Sequence, residues 1–452
     1  MSNLNAGDAH NKDNEVRYET RNSLIDGSRV RDPGLNLTPS GERVHIGFFG
    51  IRNSGKSSLV NKITGQDLSV VSAVKGTTTD PVKKAMELLP LGPVLIIDTP
   101  GFDDDDKILG ELRVKKTREI LAQCDIAVLV VNSINPENDF NLNFNAELIK
   151  LFNEHSIPYV IAHNKADLLL DQPEFSDQPV WREDLKAEEI YVSALTGFNI
   201  EKLKNKIASL AKSKGVNNKH LIADLLNIND LVVLVIPIDE SAPKGRLILP
   251  QQQVIRDILD AHCAAVTCQP EELKDILKLV KPKMVVTDSQ AFKRVAQDTP
   301  SYIYLTSFSI LFARYKGDLK ILVQGAAKLA SLNNSSKVLI SEGCTHHRQC
   351  GDIGTVKIPA LIKKFANCEP KFDFTSGGEF PDLQALKAYD LIIHCGGCML
   401  NEREMANRIN KAREANVNIV NYGVAIACMN GILRRSLELF PDVLRILDYN
   451  NY

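Results

Sequence analysis

The stretch VHIGFFGIRNSGKSS (44–58) decides how the first part of this chain folds. An apolar run, Val44 to Phe49, stops at Gly50, and a loop ending in Gly55-Lys56-Ser57-Ser58 opens a helix. Strand, glycine-bounded loop and helix in that order are the context a phosphate-binding loop requires. Gly50 and Gly55 let the backbone curl, so that the amides of a loop including Asn53, Ser54 and Ser58 face phosphate oxygens. Lys56 reaches the β- and γ-phosphates, and the Ser57 hydroxyl can ligate Mg²⁺. The bland alternative is a Gly-rich turn that happens to precede a helix.

Three further elements in the expected order argue against that alternative. DTPG (98–101) ends a strand, which places Asp98 in the Mg²⁺ shell and the Gly101 amide near the γ-phosphate. NKAD (164–167) ends another strand. After Asn164 and Lys165, Asp167 can accept both N1–H and N2–H of guanine, a pair that adenine cannot offer, so losing it leaves a carboxylate unpaired. SAL (193–195) presents backbone amides at Ser193 and Ala194 toward guanine O6. GTP is the ligand this set predicts. In KGTTTDP (75–81), where a mobile switch belongs, Thr78 is the candidate γ-phosphate-dependent Mg²⁺ ligand, against a reading of all three threonines as a solvated loop.

The loop and its partners resemble the Era and tRNA-modifying GTPases. There an asparagine at the place of Asn53 helps bind K⁺, which acts as an arginine finger would. Phe102 stands where Ras-like enzymes carry a water-positioning glutamine, so intrinsic hydrolysis should be slow. FDDDD (102–106) and Glu111 do not match the spacing of the relatives' catalytic glutamate, and no general base is assigned.

Beyond this region the chain is long enough for about three domains. Its 452 residues are 44% hydrophobic and 24% charged, with a net charge of −2, so no global basic field argues for nucleic acid or an anionic membrane. No apolar run is long enough to span a bilayer. The N-terminal segment lacks an apolar h-region and carries Asp8, Asp13, Glu15 and Glu19, which implies a cytoplasmic protein. Residues 1–41 read as a disordered tail. Alternating strands and helices over 42–215 imply a mostly parallel sheet covered on both faces. Residues 216–304 form a smaller α/β region without a catalytic constellation, and 305–452 alternate again.

In that last region LIIHCGGCML (391–400) ends an apolar run in His394 and a Cys395-Gly-Gly-Cys398 turn. EGCTHHRQCGD (342–352) also follows a strand, and supplies Cys344, His346, His347 and Cys350. If both strands lie in one parallel sheet, their C-terminal ends put Cys344 beside the CGGC turn, in the crevice where open α/β sheets hold ligands. Nine cysteines in a cytoplasmic chain point to buried thiols, redox chemistry or metal rather than structural disulfides. Zinc, an iron–sulfur cluster, a redox CxxC pair and a metal-free thiol turn all stay open on residues alone. A cluster is favoured over zinc because the ligands do not form two local pairs. Cys124, Cys263, Cys268, Cys368 and Cys428 read as core or incidental.

A GTPase, a small middle region and then CTH…HCGGC resemble the HydF family of [FeFe]-hydrogenase maturation GTPases, over about residues 42–452. The most specific piece is Cys-x-His followed, some fifty residues on, by His-Cys-x-x-Cys; KGTTTDPV, APKGRLILPQ and DIGTVKIP also look like that family. The resemblance implies a K⁺-responsive GTPase, a homodimerisation region and a domain that binds a [4Fe-4S] cluster through Cys344, Cys395 and Cys398. The fourth iron site would take a weak ligand, His346 or His394, or stay exchangeable, and Cys350 is a departure that could compete for it. Such a scaffold accepts a di-iron precursor of the hydrogenase H-cluster and passes it to apo-[FeFe]-hydrogenase, with radical-SAM maturases as further partners. Two rival readings are a ribosome- or tRNA-associated GTPase with a structural zinc site, and a regulatory GTPase with a vestigial thiol site.

Overall fold

A computed structural model describes residues 38–51, 53–65, 82–99, 117–133, 139–170, 180–183, 187–213, 219–238, 247–344 and 352–449. Thr78, Gly101, Phe102, FDDDD, Glu111, His346, His347 and Cys350 lie outside them. So do residues 1–37. Residues 38–41 belong to the folded body rather than to the tail expected at 1–41: Ser40–Glu42 form one 3-10 turn, with Gly41 buried.

The first sheet contains β1 (Val44–Phe49), β2 (Val82–Leu88), β3 (Gly92–Asp98), β4 (Ile126–Asn132), β5 (Tyr159–Asn164), β6 (Val180–Arg182) and β7 (Ala187–Tyr191). Their order is β2-β3-β1-β4-β5-β7-β6. The five inner strands run parallel, while β2 and β6 pair antiparallel at the two edges. Neighbouring side chains on β1 point to opposite faces, as the pleat demands. Phe48 joins one apolar layer with Leu59 and Leu203, and Phe49 joins the other with Leu148 and Phe152. A strand buried on both faces must be apolar throughout, which is why VHIGFF and IAVLVV lack alternation. The edge strand β2 is half solvated and does alternate.

The second sheet, β8 (Leu231–Val235), β9 (Ala264–Cys268), β10 (Met284–Thr287) and β11 (Tyr304–Ser307), has the order β11-β10-β8-β9, all parallel. The strand β11 runs across the boundary expected at 304. The third sheet holds β12 (Lys337–Ser341), β13 (Lys371–Thr375), β14 (Leu391–His394) and β15 (Asn418–Asn421), in the order β13-β12-β14-β15, again all parallel. One continuous apolar core, from Leu221 to Leu447, serves both smaller sheets. Among the described residues no helix is long and apolar enough to cross a membrane.

Candidate functional site

Two sites stand at the C-terminal ends of parallel strands. In the first, β1 delivers the chain into the phosphate loop, and the helix Lys56–Thr64 starts directly after it. Gly55 has φ 88°, and a Cβ there would fall 2.2 Å from Asn164 Nδ2, so only glycine fits. Lys56 is 5% exposed and donates to the carbonyls of Gly50 (2.9 Å) and Ile51 (2.8 Å). Those bonds hold the ammonium group over its own loop, where phosphate oxygens are its stronger acceptors. Asn53 is exposed with φ 61°.

Ser57 Oγ donates to Asp98 Oδ2 at 2.8 Å, so the structure joins two of the three expected Mg²⁺ ligands. Burial raises the Asp98 carboxyl above its ordinary value, opposed by the Ser57 hydrogen bond and by Lys56. Its Oδ1 is buried and accepts no hydrogen bond among the described residues. A desolvated carboxylate oxygen facing a phosphate loop fits a hard divalent cation, which would supply the missing partner. Asn164 is spent on architecture: Nδ2 donates to Ser54 O (3.0 Å), and Oδ1 accepts from the Ala194 amide (3.0 Å). It thus ties the phosphate loop to the SAL loop. Asp167 Oδ1 accepts from Ser193 Oγ at 2.5 Å, which fixes the carboxylate for guanine.

The second site is built by β12 and β14. Their register pairs Ser341 with His394, so both chains turn at the same level. The Cys395 amide donates to Ser341 O (2.9 Å), and the Gly343 amide donates to Cys395 Sγ (3.0 Å). A second, longer N–H···S bond comes from Gly397 (3.4 Å), whose φ of 66° closes the turn. Cys344 therefore lies beside the CGGC turn. Burial pushes the Cys395 thiol up to about 12, the two N–H donors oppose this, and Cys398 and Cys344 add to it. Burial also raises Cys398, against the pull of Lys316.

Neutral thiols in such a place leave amide donors aimed at sulfur with little charge to receive them. A thiolate bound to metal would accept both, and metal binding deprotonates a thiol outright. Among the described residues no three His, Cys, Asp or Glu side chains converge as ligands of a single ion would. Cysteines on two neighbouring turns, with amides aimed at sulfur, are a donor set that suits a thiolate-bound metal group.

His394 is held at both ring nitrogens. Arg408 Nη1 donates to its Nε2 (3.0 Å), so Nδ1 carries the proton and donates to Cys395 O (2.7 Å). Burial and Arg408 together lower the imidazole to about 3. Both nitrogens are engaged, which counts against His394 as the fourth iron ligand. Arg408 is itself 1% exposed, and is held by Glu404 Oε1 (2.8 Å) and Gly377 O (2.7 Å). Nothing in the local sequence marks Arg408 or Lys316. Asn401 did leave a signal: with Glu404 three residues on, it is the N-cap of the helix Glu402–Glu414.

Comparison with known proteins fits this layout. Residues 45–165 match the family model of the 50S ribosome-binding GTPases, residues 221–317 the hydrogen maturase F dimerization domain, and residues 320–439 the hydrogen maturase F tetramerization domain. Fold and matches define a P-loop GTPase, which binds GTP with Mg²⁺ and hydrolyses it, joined to two self-association domains. In that order the three domains are the architecture of hydrogen maturase F, and the chain belongs to that family of hydrogenase maturation GTPases. Self-association is assigned to both smaller domains, which goes beyond the homodimer expected.

The tRNA modification GTPase MnmE of Coxiella burnetii (strain Dugway 5J108-111) is 27% identical over 185 residues, covering 40% of this chain and 38% of that protein. The GTPase Der of Helicobacter hepaticus is 31% identical over 210 residues, covering 43% and 40%. The chain thus spans about two fifths of the length of these relatives. Among solved structures, a probable GTP-binding protein engB is 27% identical over 38% of this chain and all of its own, with a TM-score of 0.29.

Proposed function

We propose that this maturase is a GTP-hydrolysing scaffold. It holds a [4Fe-4S] cluster through Cys344, Cys395 and Cys398, accepts the di-iron precursor of the H-cluster as cargo, and delivers it to apo-[FeFe]-hydrogenase. The observation that supports this reading is the pair of backbone amides, Gly343 and Gly397, directed at Cys395 sulfur where β12 and β14 end, with Cys344 next to Gly343. When bound, the cluster supplies an iron whose fourth position can exchange. The chain's part is to present three thiolates from two segments. His394 is turned away from that task by Arg408.

The nucleotide site acts as a switch on this scaffold. Gly50, Ser54, Gly55, Lys56 and Ser58 hold phosphates, Ser57, Thr78 and Asp98 hold Mg²⁺, and Asn164, Lys165, Asp167, Ser193 and Ala194 frame guanine. Asn53 is the residue we assign to K⁺. Hydrolysis changes contacts with the radical-SAM maturases that load the scaffold and with the hydrogenase that empties it. The deciding experiment is anaerobic reconstitution with iron and sulfide, followed by iron analysis, absorption and EPR of the wild type and Cys395→Ser. A reducible cluster lost in the variant supports the reading. Protein that takes up only zinc, or a cluster indifferent to Cys395, sinks it.

A further inference from the structure

Cys344 and Cys398 are mounted differently. The backbone on either side of Cys344 is tied within its own domain, through Gly343 to Cys395 Sγ and through Cys344 O to the Gly377 amide (3.2 Å). The segment from Cys398 to Arg403 instead runs along the base of the GTPase body. Asn401 Nδ2 donates to Gln123 O (2.8 Å) and lies 3.3 Å from Asp125 Oδ2, while Arg403 donates to His155 O (2.8 Å) and Ser156 O (3.2 Å).

At the head of this seam sits Lys316, the last residue of the helix Phe308–Lys316, with its side chain 2% exposed. Its Nζ donates to Cys398 O (3.1 Å) and Leu400 O (2.9 Å), reaches Gly41 O (3.4 Å), and pairs with Glu42 Oε1 (2.8 Å). Gly41 is packed so closely that a Cβ would fall 2.5 Å from Leu400 O and 2.7 Å from Cys398 O. An ammonium buried this far persists only when its charge and its protons are all satisfied. Here the acceptors come from two bodies: the turn that carries Cys398, and the segment that leads into β1. From Glu42 the link continues through Arg43, whose Nη1 donates to Met86 O (2.9 Å) on β2, the strand that follows the switch loop.

We infer that Lys316 is a positioning residue that fixes the Cys398 end of the CGGC turn to the Gly41–Glu42 entry of the GTPase body. Of the three thiols, Cys398 is then the one whose place is set by that body. This rests on the reading of Cys398 as a cluster thiolate, and the test separates the two.

Hydrogen–deuterium exchange on the full, metal-free chain compares the wild type with Lys316→Met and Glu42→Gln. In Lys316→Met, peptides covering 395–401 should exchange about tenfold faster, the scale of losing a charge-assisted hydrogen bond. Peptides covering 337–341 and 391–394 should keep their wild-type rates. Glu42→Gln, which retains the carbonyl contacts, should show the same local change at a smaller size. Unchanged exchange over 395–401 in both variants overturns the inference. If Lys316→Met loosens the strands as well, Glu42→Gln decides: a change confined to 395–401 supports it, and none overturns it. In reconstituted protein of equal iron content, Lys316→Met should alter the EPR signal of the reduced cluster, and a signal identical to wild type would also overturn it. Failure of the wild type to take up a cluster would refute the scaffold reading alone and leave the exchange result standing.

Discussion

The nucleotide loop and the cysteine turn solve similar problems at different range. Each follows a parallel strand and turns through glycine, and at the cysteine turn two backbone amides point at Cys395 sulfur. The phosphate loop carries its own cation, because Lys56 folds back on Gly50 and Ile51, six and five residues away. The cysteine turn borrows its cation: Lys316 lies 82 residues from Cys398 in the chain and bonds across to Gly41 and Glu42. A site assembled within one short segment keeps its geometry wherever that segment folds. A site assembled from remote segments depends on how whole domains meet, and it can respond when they shift.

The comparison breaks most visibly if either end fails to act alone. Lys56→Ala should lower GTP turnover by about 10²–10³-fold, the usual loss for a group that stabilises transferring phosphate charge, and leave iron binding unchanged. Cys344→Ser should abolish the cluster while GTP turnover stays close to wild type, measured by phosphate release; a collapse of both activities would mean that the sites are one unit. Asp167→Asn should weaken GTP binding by about 10²-fold, read by nucleotide titration, since the guanine N–H pair loses its carboxylate.

Smaller effects sharpen the contrast at the seam. Asn401→Ala removes a helix cap and two bonds to the GTPase body, and should cost about 1–2 kcal/mol in urea unfolding. His155 adds a pH dependence. Burial, and then Arg403, hold its imidazole below the ordinary 6.5. The unfolded chain therefore takes the proton first, so this contribution to stability is complete above about 6.5 and is lost as pH falls through the lowered folded value. Thermal unfolding of His155→Gln should show a shallower decline than wild type below pH 6.5, and parallel curves would exclude the effect.

Much of the first site was legible because its determinants are local. Glycine spacing, a lysine and a serine at a helix start, and aspartates after apolar strands each fix chemistry over a few residues. The crevice holding Cys344 and the CGGC turn was legible as a consequence of parallel pairing, once β12 and β14 were read as neighbours. Other features gave weaker signals. The strand β13, KFDFT, is half exposed and has no apolar run, and β11 is four residues long and crosses a boundary placed by pattern. His394 stood beside His346 as a possible weak fourth ligand, on the family resemblance. Its nitrogens were claimed instead by Arg408, fourteen residues on, and by the carbonyl of Cys395.

By itself the sequence determined the chemistry available: a phosphate loop with a guanine-reading NKAD turn, and thiols gathered on two glycine-bearing turns. Backbone propensity and side-chain type act over a few residues, and they suffice for that. Only the tertiary structure decided which groups are left to act. Burial and long-range hydrogen bonds turned His394 inward, left one Asp98 oxygen without a partner among the described residues, and placed Lys316 between two bodies. Those outcomes depend on which surfaces exclude water from one another, and that is settled when the domains pack.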